Sequence, residues 1–162
     1  MATYHHGDLP SALLEAAGRM IEKTGPAGLS VREAARRAGV SHTAPYRHFP
    51  DREALLAALA DQGLEQLDAA LRYLRPAQMA RAYVRFARDH PERFRLMFAG
   101  RRQPRLEARF ASAYAELGPL AGVAAWALVH GLAQLLIDGH LQGDEAFVGK
   151  VLDAVRLAQR SA

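Results

Sequence analysis

Residues 29–53 read LSVREAARRAGVSHTAPYRHFPDRE. Ser30 followed by Glu33 has the capping-box spacing, which places a helix start at Ser30 and a short helix running to about Arg37. Val31, Ala34 and Ala35 give that helix a small apolar face. Ala38-Gly39-Val40 marks a turn, and Gly39 supplies the backbone freedom it needs. Ser41 is the expected cap of a second short helix whose outer side carries His42, Thr43, Ala44, Arg47 and His48. Pro45 stands at the limit of what a first helical turn tolerates, so this helix is expected to be tightened or to start late. Two short helices at a steep angle, the second polar and basic, form a helix-turn-helix of the kind that enters a DNA major groove. An ordinary αα-hairpin shares the capped start and the glycine turn. The small Ala35 position and the Tyr46-Arg47-His48-Phe49 cluster favour the DNA reader.

On the N-terminal side, Leu13, Leu14, Ala17, Met20 and Ile21 recur at helical spacing, so a helix is expected from Leu9 or Pro10 to Thr24, capped by Asp8. Gly25-Pro26-Ala27-Gly28 ends it, and Leu29 is expected in the core. On the other side, Pro50-Asp51 stops the hairpin and caps a long helix of about 51–74. Phe49 is expected inside. A fifth helix starts at Pro76, with Met79, Ala82, Tyr83, Phe86 and Ala87 on one side and Arg81, Arg85 and Arg88 on the other. A short helix follows over Glu92–Phe98, and another over about Leu106–Leu117. Leu120–Ile137 is nearly all apolar, but its alanines, two glycines, His130 and Gln134 suit burial between helices better than a membrane span. The last helix, about Glu145–Gln159, carries Phe147, Val148, Val151, Leu152 and Val155 as one stripe. Two apolar helices ending a small chain, about 120–140 and 145–159, suggest pairing with a second copy as a four-helix bundle.

A chain of 162 residues, half of them hydrophobic and rich in alanine, leucine and arginine, fits an all-α protein. It contains no cysteine, and hence no disulfide framework or thiolate metal site. No cofactor or metal is expected. The opening MATYHHGDLP lacks the charged and apolar regions of a signal peptide, which points to the cytoplasm. A net charge of +4 suits a polyanionic partner. Residues 30–52 contribute Arg32, Arg36, Arg37, Arg47 and Arg52 against Glu33 and Asp51. Residues 72–109 are more basic still, with eleven arginines against Asp89, Glu92 and Glu107. That middle region permits an anionic ligand, or equally a solvated face whose aliphatic stems pack along a helix. Catalytic signatures (GxSxG, HExxH, a Walker loop, His-x-x-Glu) are missing, so no catalytic residue and no enzyme is expected.

From about Tyr4 to Leu64 the chain resembles the N-terminal DNA-binding domain of the TetR family of bacterial transcriptional regulators. HHGDLPSALLEAA, GLSVREAARRAGVS and PYRHFPDREALLAAL carry the resemblance. Farther on, YVRFARDHPERFRLMF looks like a common version of the family's fifth and sixth helices. VHGLAQLLIDG resembles a subgroup with a Trp-His-Gly signature, although here Val129 precedes His130 and the tryptophan is Trp126. The resemblance implies a three-helix helix-turn-helix domain over 1–53, a linking helix at 51–74, and a helical regulatory and dimerisation domain over 75–162. It implies a homodimeric repressor that holds an inverted-repeat operator in double-stranded DNA until a small apolar or amphipathic effector releases it. The rival expectation is an effector-independent dimer controlled by abundance or a protein partner.

Position by position, the resemblance makes Tyr46, His48 and Arg52 phosphate contacts, with Ser30 and Ser41 donating from helix N-termini. Arg32, His42, Thr43, Ala44 and Arg47 become the base-reading candidates, and Arg47 suits either a guanine or a phosphate. Tyr83, Phe86, Phe94, Met97, Phe98, Phe110, Tyr114 and Trp126 either line an effector cavity, with His130 and Gln134 as polar handles, or fill the core.

Overall fold

The computed structural model describes residues 9–100, 102–118 and 120–160, with side chains through Ala154. The expected cap Asp8 and the side chain of Val155 lie outside them. Among the described residues there are eight α-helices and no strand: α1 Leu9–Thr24, α2 Val31–Arg37, α3 Arg52–Leu71, α4 Pro76–Asp89, α5 Pro91–Phe98, α6 Pro104–Ala113, α7 Ala121–Ile137 and α8 Glu145–Arg160. None of them is long and apolar enough to cross a membrane.

Local chemistry sets the helix starts. The Asp51 carboxylate accepts from the Ala54 amide at 2.7 Å and caps α3, as its sequence position implied. Pro76 occupies the first turn of α4, where its missing N–H costs nothing, and Gln78 reaches back to the Arg75 amide at 3.1 Å. Asp144 caps α8 through the Phe147 amide at 2.8 Å. The start of α5 is capped from far away in sequence: the Glu22 carboxylate on α1 accepts from the amides of Glu92 and Arg93 at 3.0 and 3.1 Å.

The chain divides into two compact units. The first holds residues up to Leu64 together with Glu92–Ala99, and the second holds Glu65–Pro91 with everything from Gly100 onward. The first part of α3, as far as Leu64, and α5 from Glu92 belong to the first unit.

In the first unit Leu13, Ala17, Ile21, Ala34, Ala35, Leu55 and Leu59 are fully buried, with Leu29 and Phe49 closing the same core. Helix α5 adds Phe94 and Met97, also buried. Gly63 marks where α5 lies on α3, since a Cβ there would stand 2.7 Å from the Met97 sulfur and 3.0 Å from Cγ of Arg93. Only a glycine permits that approach.

In the second unit α7 packs on α4 and α6, and α8 packs on α4. Leu67, Leu71, Met79, Tyr83, Leu106, Phe110, Val129 and Ala133 fill its core. Helix α7 is not apolar on a buried face alone: Val123, Leu128 and Leu135 are exposed, and Gly131 has open space around it.

Candidate nucleic-acid interface

The hairpin turn forms as read. Gly39 has φ +73°, the Val40 amide bonds the Ala35 carbonyl at 3.0 Å, and the Gly39 amide bonds the Arg36 carbonyl at 3.2 Å. This is a Schellman termination of α2, with Val40 packed against the core.

The second hairpin helix departs from expectation. Ser41 does not cap an α-helix; Ala44–Arg47 forms a single 3₁₀ turn preceded by Thr43, whose side chain makes no capping bond. Pro45 is the cause. In an α-helix its N–H would go to the Ser41 carbonyl, and proline has none. The Ala44 amide takes that carbonyl instead at 3.1 Å, one residue early, which is 3₁₀ geometry. His48 and Phe49 both donate to the Pro45 carbonyl, at 2.9 and 2.8 Å, so Pro45 and Phe49 turn inward while their neighbours face out.

The outcome is a continuous exposed row. Ser41, His42, Thr43, Arg47 and His48 are exposed, Tyr46 is 51% exposed, and Ala44 is half-buried beneath them. The hydroxyls of Ser41 and Thr43 lie 3.3 Å apart. Ser30, Arg32, Glu33, Arg36, Val40, Ser41 and His42 line an adjoining groove of about 590 Å³. Arg36 was not singled out in the sequence, although it sits one helical turn beyond Arg32.

The cations here are not equivalent. The Ser30 hydroxyl accepts from the Glu33 amide at 3.3 Å, half of the expected capping box. The Glu33 carboxylate goes elsewhere: Arg36 donates to it twice at 2.8 Å and Arg37 once at 2.7 Å. These guanidinium bonds, Arg36 first, hold the Glu33 carboxyl down at about 2. By contrast Arg32 and Arg47 are exposed and make no ion pair among the described residues. Arg52 turns inward. It donates to the carbonyls of Leu29 at 3.2 Å and Pro26 at 2.5 Å, and pairs with Glu53 at 2.5 Å. The resemblance implies a phosphate contact at this position; the guanidinium, whose side chain is still 37% exposed, fastens the Pro26–Leu29 loop to the start of α3.

The ten expected effector-pocket residues divide between the two units. Phe94, Met97 and Phe98 belong to the first unit, where the Phe94 and Phe98 rings meet at a tilt with centroids 4.9 Å apart, and the other seven belong to the second. Phe86 stands edge-on to His90 at 5.1 Å, and Gln134 donates to Asp138 at 2.7 Å. Tyr83, Phe110, Trp126 and His130 do form a cluster, but a packed one. The Tyr83 ring is edge-on to Phe110 at 5.8 Å, and Phe110 stacks between Trp126 at 6.2 Å and Tyr114 at 6.5 Å. The Tyr83 hydroxyl, whose pKa burial pushes well up, lies 2.9 Å from Nδ1 of His130 and accepts from the Trp126 indole at 3.1 Å.

Comparison with known proteins agrees with this geometry. Residues 13–59 match the family model of bacterial regulatory proteins of the tetR family, and residues 76–155 match that of the tetracyclin repressor-like C-terminal domain. No curated protein matches the chain. Among solved structures, a protein of unknown function from Rhodococcus sp. RHA1 is 34% identical over 96% of both chains, with a TM-score of 0.75. A TetR variant from Acinetobacter baumannii AYE, in complex with minocycline, is 19% identical over 98% of both chains, with a TM-score of 0.67. AibR in complex with isovaleryl coenzyme A and operator DNA is 16% identical over 88% of this chain and 95% of its own, with a TM-score of 0.61. The family's members are regulators, not enzymes. A helix-turn-helix with an exposed polar row, joined to a second all-helical unit, and both family models in their expected order lead to one conclusion: the chain belongs to the TetR family of bacterial transcriptional regulators.

Proposed function

We propose that the protein is a homodimeric repressor that reads an inverted repeat in double-stranded DNA and leaves it when a small molecule binds the regulatory half. The observation that carries the DNA-reading part is the exposed row from Ser41 to His48, in which Arg47, like Arg32 on α2, makes no ion pair among the described residues. Charged and hydroxyl side chains presented on one short turn suit base edges and phosphates. Thr43 and Ala44 suit a thymine methyl, Arg47 a guanine, and Tyr46 and His48 the phosphates on either side. One such turn buries too little surface for tight specific binding, which favours two copies on two half-sites. The exposed Val123, Leu128 and Leu135 on α7, with Gly131 among them, supply an apolar face for the second copy.

The packed Tyr83–Phe110–Trp126–His130 cluster favours, for the second reading, an effector-independent dimer controlled by abundance. Selection of bound fragments from genomic DNA, repeated with Tyr46→Ala and Arg47→Ala, tests the DNA-reading part. A short inverted repeat bound by the parent protein and lost in both variants is the expected result. Salt-sensitive, sequence-indifferent binding unchanged in both variants would sink the reading.

A further inference from the structure

Away from the DNA-facing row, the second unit carries a groove of about 390 Å³ between α4 and the start of α8, lined by Arg81, Val84, Arg85, Arg88, Asp89, Glu145 and Val148. We propose that this groove binds a small amphipathic carboxylate: a short apolar chain ending in one carboxyl group. It lies apart from the Tyr83–Trp126–His130 cluster, none of whose residues line it.

Arg81, Arg85 and Arg88 follow helical spacing, so three guanidiniums rise from one side of α4 against two lining carboxylates, Asp89 and Glu145. Val84 and Val148 line the groove beneath those charges but are almost completely buried, so the apolar surface open to a ligand is that of the arginines' aliphatic stems. Glu145 already sets a carboxylate on the Arg85 guanidinium. The Arg81 guanidinium lies along α8, reaching Asp153 at 3.8 Å, and a Cβ on Gly149 would stand 2.6 Å from one of its nitrogens. Gly149 thus leaves room for a charged wall at that end of the groove. Arg88 is exposed and makes no ion pair among the described residues, so it is the cation open to a ligand.

The chemistry selects the ligand. A carboxylate takes two parallel N–H bonds from a guanidinium, and a short apolar chain can lie along the arginines' aliphatic stems. A doubly charged phosphate meets Asp89 and Glu145 at close range and gains nothing from those stems. An ammonium meets three arginines.

The test is isothermal titration of the full chain with hexanoate, with hexylammonium, hexanol and inorganic phosphate as comparison probes. The expected result is saturable one-to-one binding of hexanoate only, weakened about tenfold or more in Arg88→Gln, a loss of about 1.4 kcal/mol. Glu145→Gln frees Arg85 from its internal competitor and should tighten hexanoate binding. Unfolding curves of each variant confirm that the unit remains folded. Equal heats from hexanoate and hexanol, or hexanoate binding unchanged in both variants, would overturn the proposal, as would phosphate binding as tightly as hexanoate. The consequence for DNA rests on the effector reading above and is scored separately. Hexanoate that binds the groove but leaves the operator complex intact upholds the site and removes release by this ligand.

Discussion

Tyr83 and His130 meet 2.9 Å apart inside the second unit, joining α4 to α7 through a hydroxyl and an imidazole nitrogen. The same hydroxyl accepts the Trp126 indole N–H at 3.1 Å. An oxygen that already accepts one hydrogen can give its own to a neutral imidazole, and burial holds His130 below its ordinary 6.5. The polar chain is therefore at full strength only while His130 is uncharged.

Tyr83→Phe keeps the ring that packs edge-on to Phe110 and removes the acceptor of the Trp126 N–H. For a half-buried donor the loss of a hydrogen bond costs about 1 kcal/mol. Urea unfolding at pH 7.5 should show that loss, and Trp126 fluorescence should report the altered polarity around the indole. No change in midpoint would mean the hydroxyl contributes nothing to the fold.

The sign of the His130 shift sets a pH window. Its folded pKa is depressed, so the unfolded chain binds the proton more readily, and stability falls as pH drops from 6.5 toward the folded value. Above 6.5 the contribution is complete. His130→Gln should flatten this part of the stability profile. A parent profile level between pH 7 and pH 5, identical to the variant's, is the contrary outcome.

Asp68 and Arg109 form a mostly buried ion pair at 2.5 Å, with Arg72 at 3.5 Å from the same carboxylate. The Arg109 hydrogen bond, before all else, holds Asp68 below the ordinary carboxylate value of 3.8. Stability from this pair is present above that value and is lost as pH falls through the lower folded one. Asp68→Asn should cost about 1–3 kcal/mol at pH 7. The gap between variant and parent should close toward pH 2. A gap constant with pH would assign the loss to packing alone.

Much of this architecture is legible from local rules. Ser30, Gly39 and Asp51 act through partners within five residues, and the apolar spacing from Leu13 to Ile21 marks a buried face. The tightened second hairpin turn follows from Pro45 alone. What local rules miss is distant pairing. Arg52 finds its acceptors 23 and 26 residues upstream, and Glu22 caps a helix start some 70 residues later. Nothing near Phe94 or Met97 distinguishes them from Tyr83 or Phe110, yet they fill the core of the other unit. A row of arginines looks uniform in sequence; carboxylates elsewhere in the fold decide which remain available.

That distinction among arginines has a direct readout on DNA. Log affinity falls with log salt by about 0.9 for each phosphate neutralised. Arg47→Ala or Arg32→Ala should reduce the slope by about one where the residue meets a phosphate. Arg52→Gln should leave the slope unchanged and lower the unfolding midpoint, because the lost bonds are to Leu29 and Pro26. Glu33→Gln should steepen the slope by releasing Arg36 and Arg37. A flatter slope in Arg52→Gln would show that Arg52 also meets a phosphate.

The α7 face makes a separate prediction. Leu128→Glu places a charge on an exposed apolar stripe without disturbing the buried Val129. Sedimentation should show a dimer for the parent and a monomer for the variant, with operator affinity falling in parallel. A variant that stays dimeric would place the interface elsewhere.

Gly63 gives a different kind of handle. With the Met97 sulfur 2.7 Å from where a methyl would sit, Gly63→Ala drives a wedge under α5 from within α3. It alters no residue of the DNA-facing row and none of the α4–α8 groove. The hydrogen on that one α-carbon is, in effect, the clearance on which the seating of α5 depends.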